Sequence, residues 1–470
     1  MVGQFIGANT EELRALAREF GTSSTVLDTI ETELNGVVAR AAWKGPDASN
    51  FEMDYHRFHR ARLRAAAEAL RTVSGELSAQ ASEQDLASDV SGGVSGAAAG
   101  SPAVVADAQT PADQLEDFAN GDADPEKVAE WWADLVKNDP DAARQLVEKH
   151  PELFGNLEGI PYDVRSTANE AQLDDMIDDA RSAGDDDRAT YLENVKSALE
   201  TDGSPPRQLI SLEAGPPALA AISIGDLDTS AYSSFLVPGM GSNGPSTPTD
   251  LTDAALSLWM EQKTLAAHNG LDGDNAVVAW MAYDAPEMFP QSSEVFHGDR
   301  AAEGGDVFER VLLGYQATRD ASGNDSYLSV VAHSYGSTTA ANALVDLPKG
   351  TVDSFTTLGS AGLENSIDGA GDLKTNVYAM QGWEFGGIAG VGRTFSGRQD
   401  PTDADFGSVV LNTEAQYVDG VSQTNSNRHD LYSGDNPWSH RGYLDHGTSS
   451  LNNTALVNLG LGGEATLAEK

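Results

Sequence analysis

Apolar residues in the first 90 positions recur at the three- and four-residue spacing of a helical face. One stripe is formed by Leu13, Leu16, Phe20, Leu27, Ile30, Leu34 and Val37, and a second by Phe51, Tyr55, Phe58, Leu70, Val73 and Leu77. Between the stripes, Gly45 permits a turn and Pro46 suits the first turn of a new helix. The pattern predicts an antiparallel helical hairpin over residues 1–90, which must bury its stripes against each other or against a partner. Residues 91–110 are rich in Gly, Ala and Ser and are typical of a flexible linker.

The pattern changes again near residue 205. Over residues 111–205 helical patterns recur, with breaks at Pro125, Pro140 and Pro151 and with core candidates Trp131, Trp132, Leu135, Leu146 and Leu153. Over residues 206–470 short β-rich runs alternate with Gly/Pro turns and helical stretches. We expect strands at residues 208–212, 218–224, 232–237, 276–281, 328–332, 354–358 and 377–380. The alternation predicts an α/β fold with a mostly parallel sheet and helices on both faces.

The charge and composition of the chain limit its partners and its chemistry. Among 470 residues, 73 Asp and Glu outnumber 29 Lys and Arg, which gives a formal net charge of −44. A surface this negative repels phosphate backbones, so we expect no nucleic-acid partner; the same acidity suits a protein in high salt. Without cysteine, thiolate catalysis and thiolate metal sites are excluded, and we expect neither a metal nor a cofactor. The sequence contains no apolar run of transmembrane length and no Sec-type signal, which predicts a soluble chain.

A strand-to-helix turn carries the candidate nucleophile. The apolar residues 328–332 lead into His333-Ser334-Tyr335-Gly336, and residues 338–344 are compatible with a helix. In a nucleophile elbow, small residues flank a strained turn and leave the serine hydroxyl at a helix N-terminus. Ser182 also lies in a small-x-Ser-x-Gly sequence, but no strand precedes it. Context therefore favours Ser334, with a plain helix cap as the alternative, and His333 is expected to point away from the hydroxyl and to pack.

An oxyanion hole needs a second backbone N–H from the loop after an earlier strand. The apolar strand end at residues 234–237 is followed by Pro238-Gly239-Met240-Gly241. We therefore expect the amides of Met240 and Tyr335 to bind the oxyanion, with an ordinary Gly-rich turn as the alternative interpretation.

The general base should follow the serine in this fold. His429, His440 and His446 are the histidines beyond Ser334. We favour His440, in a loop-like stretch past the last predicted strand, with His429 as the second choice.

The acid of the triad should lie between the serine and the histidine in the sequence. Glu384 is the first carboxylate after the predicted strand at 377–380, where a strand-end loop could bring it to the imidazole. Asp400 and Asp403 are the competing candidates.

The turn Trp43-Lys44-Gly45 between two helices resembles the WXG family of small helical hairpins. Members are exported by type VII (ESX) secretion in actinobacteria and firmicutes and often pair as dimers. The resemblance covers about the first 90 residues and implies a WXG-type partner hairpin or self-association. It also implies a secreted or cell-surface protein, with a cytoplasmic location as the alternative. The family's export tag, a Tyr four residues before an acid, is not evident near Glu83-Gln84-Asp85.

Roughly residues 125–460 resemble an actinobacterial α/β-hydrolase family long filed under unknown function. The matching pieces are Gly155-Asn156-Leu157-Glu158-Gly159-Ile160-Pro161, Val164-Arg165, Ala168-Asn169, Val237-Pro238-Gly239-Met240-Gly241, Ala279-Trp280-Met281-Ala282-Tyr283-Asp284-Ala285-Pro286, His333-Ser334-Tyr335-Gly336-Ser337 and His440-Arg441-Gly442-Tyr443-Leu444. The resemblance implies an α/β-hydrolase fold with a helical segment before it. It also implies a Ser-acid-His triad on Ser334 and His440, with Glu384 where the family usually has an Asp.

These observations predict a serine hydrolase linked to type VII secretion, with a carboxylester as the expected substrate. An amidase or peptidase with the same triad is the first alternative. A secreted interaction protein that uses a hydrolase scaffold without catalysis is the second.

Overall fold

The computed structural model describes the part of the chain that carries the predicted catalytic domain. The described residues are Arg18, 110–119, 123–201, 203, 205–287, 294–296, 298–382, 393, 396–418, 420–434 and 441–469. The predicted hairpin over residues 1–90 therefore lies outside them, apart from Arg18, as does nearly all of the predicted linker. Residues 106–287 and 294–470 form one compact unit.

Helices precede the sheet in this unit. They are α1 (Pro111–Ala119), α2 (Pro125–Asn138), α3 (Pro140–Lys149), α4 (Pro151–Phe154), α5 (Tyr162–Ala183) and α6 (Asp186–Leu199). The predicted breaks Pro125, Pro140 and Pro151 are each the first residue of a helix, where a missing N–H costs nothing. Among the predicted core residues, Trp132 and Leu146 are buried in a small apolar cluster, and Trp131, Leu135 and Leu153 pack against it.

The sequence Gly155-Asn156 joins this helical segment to the sheet. The Asn156 side chain donates to the Leu212 carbonyl at 2.8 Å and accepts from the Leu212 amide at 2.9 Å. The Asn169 side chain donates to the carbonyls of Gly155 and Leu209, both at 2.9 Å. A Cβ on Gly155 would lie 1.9 Å from the Asn169 side-chain oxygen, so only glycine fits there. These polar side chains complete the backbone hydrogen bonding of the first strand, and this role accounts for their presence.

An eight-stranded sheet forms the centre of the unit. Its strands are β1 (Arg207–Glu213), β2 (Leu219–Ile224), β3 (Tyr232–Val237), β4 (Asn275–Met281), β5 (Tyr327–His333), β6 (Ser354–Leu358), β7 (Asn376–Met380) and β8 (Val409–Val410). Their order across the sheet is β1-β2-β4-β3-β5-β6-β7-β8. The pairs β1–β2 and β2–β4 are antiparallel, and every pair from β4 to β8 is parallel. A separate hairpin pairs β9 (Gln416–Val418) with β10 (Val421–Gln423).

Helices cover both faces of the sheet. In β4, Val277, Ala279 and Met281 enter one apolar cluster, whereas Ala276, Val278 and Trp280 enter the other. The first cluster is closed by α6, α7 (Thr247–His268) and α10 (Ser449–Asn458), and the second by α8 (Asp299–Ser322) and α9 (Gly336–Asp346). Burial on both faces accounts for the nearly continuous apolar runs of these strands.

The predicted α/β architecture is confirmed. All seven predicted strands are present, each with ends within one residue of the prediction. The short strands β8, β9 and β10 were not predicted, because two or three residues carry no usable periodicity. In the part of the chain that the structure describes, no helix combines the length and hydropathy needed to cross a membrane.

Candidate active site

Ser334 lies at a strained turn between β5 and α9. Its backbone φ is +52°, in the left-handed region that residues with a Cβ rarely adopt. The end of β6 and the loop after it hold the turn: the Ser334 amide donates to the Leu358 carbonyl at 3.0 Å, and the Ser334 carbonyl accepts from the Ala361 amide at 3.1 Å. The Ser337 hydroxyl also donates to the Ser334 carbonyl, at 2.6 Å. This geometry is that of a nucleophile elbow. Ser182, the competing sequence match, is an exposed residue inside α5.

Two glycines allow the loop after β3 to approach the elbow. A Cβ on Gly336 would lie 2.3 Å from the Pro238 carbonyl oxygen, and a Cβ on Gly239 would lie 2.7 Å from Ser334 Cβ. Because parallel strands end at one edge of the sheet, the loop after β3 meets the turn after β5 there. Met240, the expected oxyanion donor, follows Gly239 directly and is partly exposed, whereas Tyr335 is the residue at the start of α9.

The residues after β4 hold the loop that carries Met240. The Tyr283 hydroxyl donates to the Pro238 carbonyl at 2.8 Å, and the Gly241 amide donates to the Pro286 carbonyl at 2.8 Å. The Tyr283 ring stacks on Trp280, with 5.5 Å between centroids and 6° between planes. Residues 280–286 therefore support the expected oxyanion loop through these hydrogen bonds and this ring packing. The sequence of residues 280–286 did not by itself indicate this role.

Among the described histidines beyond Ser334, His429 is the one that contacts the serine hydroxyl. Its Nε2 lies 2.7 Å from Ser334 Oγ, within hydrogen-bond distance. His440, the histidine favoured from the sequence, lies outside the described residues. The second choice from the sequence thus occupies the position expected of a general base.

The sequence around Gly442 supports the segment that carries His429. Backbone hydrogen bonds join residues 427–431 to residues 441–444. The Tyr443 amide donates to the Asp430 carbonyl at 3.0 Å, and the Leu444 amide donates to the Leu431 carbonyl at 2.8 Å. The Asn427 amide donates to the Arg441 carbonyl at 3.1 Å. A Cβ on Gly442 would lie 2.7 Å from the Asp430 carbonyl oxygen. Residues 441–444, which follow His440 in the sequence, therefore supply backbone contacts to the His429 segment.

His333 also contacts His429. Its Nε2 lies 2.5 Å from the His429 carbonyl oxygen, and the two ring centroids are 4.9 Å apart. Burial, together with the neighbouring His429, lowers the pKa of His333 from 6.5 to about 3. The imidazole of His333 is therefore neutral at neutral pH.

Of the three candidates for the triad acid, the structure describes Asp400 and Asp403. Glu384 lies outside the described residues. The Asp400 carboxylate accepts from the Thr402 hydroxyl at 2.7 Å and pairs with Arg393 at 2.8 Å. Asp403 is exposed and lines an open cleft with Arg393 and Asp405. The Asp400 carboxylate is thus engaged by Thr402 and Arg393.

The loop that leads to Glu384 starts beside the His429 segment. The Gly382 amide donates to the Tyr443 hydroxyl at 2.9 Å, and a Cβ on Gly382 would lie 2.6 Å from the Ser426 carbonyl oxygen. Gly359 lies against the same tyrosine: a Cβ there would be 3.0 Å from the Tyr443 ring and hydroxyl and 3.1 Å from His429 Nδ1. The carboxyl end of β7 is thus close to the Nδ1 side of the imidazole.

No metal centre is formed by the residues seen here. Across the described ranges, no group of three or more His, Asp or Glu side chains is arranged to hold a metal ion.

A family model described as "Alpha/beta hydrolase" matches residues 215–385. This range includes the loop after β3, the turn at Ser334 and the parallel strands β3, β4 and β5. The fold is that of the α/β hydrolases. Two uncharacterized proteins from two strains of Mycobacterium tuberculosis are each 28% identical to the chain over 389 residues, 72% of this chain and 56% of each relative. The chain spans about half the length of these curated relatives.

A comparison with solved structures matches a dienelactone hydrolase-like promiscuous phosphotriesterase from metagenomic libraries. The match covers 55% of this chain and 97% of that protein, with 16% identity and a TM-score of 0.28. A likeness of this degree adds nothing to the functional argument.

Proposed function

We propose that the protein is a serine hydrolase, most simply a carboxylester hydrolase, with Ser334 as nucleophile and His429 as general base. The observation that carries the proposal is the 2.7 Å contact between His429 Nε2 and Ser334 Oγ at a turn with positive φ. A serine hydroxyl is a poor nucleophile unless a base removes its proton. An imidazole within hydrogen-bond distance of the hydroxyl meets that need.

The proposed reaction has two halves. Ser334 Oγ attacks the acyl carbon while its proton passes to His429 Nε2, and the carbonyl oxygen becomes an oxyanion that the amides of Met240 and Tyr335 stabilise. Collapse of this intermediate expels the alcohol, which takes the proton from His429. Water then attacks the acyl-enzyme in the same way, and the acid leaves with Ser334 restored.

Glu384 is our proposed acid. A carboxylate on the Nδ1 side would hold the imidazole in the tautomer whose Nε2 accepts the serine proton. The position of Gly382, two residues earlier, supports this choice, since Gly382 contacts Tyr443 next to the His429 segment. The contacts of Asp400 with Arg393 and Thr402 argue against its use in the triad.

Ester hydrolysis by the full chain tests the proposal. With a panel of p-nitrophenyl esters, Ser334→Ala and His429→Ala should each lower kcat by on the order of 10³-fold or more. The control variants Ser182→Ala and His440→Ala should leave kcat unchanged. If His440→Ala abolishes activity while His429→Ala retains it, the assignment of the base is wrong.

The same panel separates the two rival functions. Anilides turned over faster than esters would favour the amidase or peptidase alternative. A chain that hydrolyses neither class, at wild-type stability, would favour a scaffold that binds partners without catalysis.

We further propose that the N-terminal hairpin directs type VII export. The basis is the sequence Trp43-Lys44-Gly45 and its resemblance to the WXG family. Trp43 and Gly45 lie outside the described residues. The double variant Trp43→Ala, Gly45→Ala should lose export in a type VII-competent host while kcat stays at the wild-type value. Normal export with a lowered melting temperature would instead assign the hairpin a stabilising role.

A further inference from the structure

His333 lies directly before the proposed nucleophile and contacts the backbone of His429, an atom group that the proposed reaction does not use. Its side chain is almost entirely buried at the end of β5, where the sheet holds the backbone. The His333 ring lies 4.9 Å from the His429 ring and 6.0 Å from the Tyr443 ring, centroid to centroid.

The contact between His333 and His429 has a defined direction. Nε2 of His333 lies 2.5 Å from the backbone carbonyl oxygen of His429. A carbonyl oxygen only accepts, so Nε2 must carry the proton and donate it. Because burial keeps His333 uncharged, the ring is the neutral Nε2–H tautomer and adds no positive charge beside the base.

This hydrogen bond ties the base to the same turn that carries the nucleophile. His429 is held at its backbone by His333 and at its ring by Ser334, which are adjacent residues. The segment around His429 lies in neither a helix nor a strand, so side-chain and backbone contacts must set its position. A misplacement of about 1 Å in such a pair costs on the order of 10²-fold in rate.

We propose that His333 is a positioning residue for the general base, in which the Nε2–H group holds the His429 backbone at the distance that brings His429 Nε2 to Ser334 Oγ. This inference rests on the proposed serine hydrolase function. It assigns to His333 a hydrogen-bond donor role that packing alone would not require.

Replacement of His333 by Gln or by Asn tests this role, because the two side chains carry the same amide group at different distances from the backbone. The amide nitrogen of Gln falls near the position of imidazole Nε2, whereas that of Asn falls near Nδ1 and does not reach the His429 carbonyl. We expect His333→Gln to retain kcat within about threefold and His333→Asn to lower kcat by roughly 10²-fold, with KM near the wild-type value in both. Melting temperatures are measured beside the kinetics.

Equal losses in kcat for the Gln and Asn variants, in step with their melting temperatures, would overturn the proposal in favour of simple packing. Wild-type kcat in the Asn variant would overturn it as well. Failure of the proposed function gives a different result, because the wild-type chain itself would then hydrolyse no ester.

A spectroscopic measurement keeps the inference testable if a variant does not fold. Nitrogen-15 NMR of the wild-type chain with labelled histidine reports which ring nitrogen carries the proton, whether or not the chain is catalytic. We expect His333 to show the Nε2–H tautomer at pH 7. An Nδ1–H tautomer would contradict the proposed donor.

Discussion

At the scale of single residues, the backbone of the elbow sets the position of Ser334, the proposed nucleophile. A positive φ at a residue with a Cβ costs about 1–2 kcal/mol, and Ser334 bears it while hydrogen bonds to Leu358 and Ala361 hold the turn. Its hydroxyl takes no part in those backbone contacts. We therefore expect Ser334→Ala to fold like the wild type, which makes it a clean probe of chemistry.

His333 should also make the free energy of unfolding depend on pH. In the folded chain the pKa of His333 lies near 3, because the ring is buried beside His429, whereas its ordinary value is 6.5. Between these values the unfolded chain binds a proton that the folded chain excludes, so stability falls as pH falls. From pH 7 to pH 5 the free energy of unfolding of wild type should fall by ~2 kcal/mol more than that of His333→Gln. Urea denaturation at both pH values measures this difference, and equal losses would contradict it.

The sequence predicts Ser334 as the nucleophile from a local pattern, but it offers no comparable pattern for choosing between His429 and His440. Ser334 stands out because an apolar strand, small flanking residues and a helix follow in a fixed order over a short stretch. His429 is positioned by backbone pairing of its segment with residues 441–444, a long-range contact with no periodic signal. The positions of His429 and His440 in the sequence do not indicate which of them contacts the serine.

At the scale of elements, the loop after β4 supports the loop after β3. Tyr283 joins them through its hydroxyl bond to Pro238, while its ring packs on Trp280 independently of that bond. Tyr283→Phe keeps the ring and removes the bond, so Met240 should be less firmly placed. We expect kcat to fall roughly 10-fold with little change in KM, since the donor acts mainly in the transition state.

The exposed Tyr417, of which 74% is accessible, offers the matched control for this variant. Tyr417→Phe should leave kcat and the melting temperature unchanged. An unaltered kcat in Tyr283→Phe would mean that the loop after β3 keeps its place without the hydroxyl.

The elements themselves were largely predictable. Strands buried on both faces are nearly continuous apolar runs, and Gly and Pro mark their ends, so the predicted strand ends at residues 232–237 and 354–358 match the observed ones. The support that residues 280–286 give to the loop after β3 was not predictable. It depends on strand order, which brings β3 between β4 and β5.

At the scale of the whole molecule, a net charge of −44 must influence stability. Like charges repel and destabilise the compact state, and salt shortens the screening length from about 30 Å at 0.01 M to about 3 Å at 1 M. We expect the melting temperature to rise by roughly 5 °C or more between 0.01 M and 1 M NaCl. Differential scanning calorimetry across this range measures the shift, and a constant or falling melting temperature would show that the carboxylates are compensated within the fold.

The central claim is that Ser334 is an activated nucleophile, and covalent labelling tests it most directly. A fluorophosphonate probe reacts with serines that an adjacent base has activated, and mass spectrometry of the digested full chain locates the adduct. We predict one adduct, on Ser334, that is absent in Ser334→Ala and strongly reduced in His429→Ala. No adduct on the folded wild-type chain, or an adduct that persists in Ser334→Ala, would contradict the account.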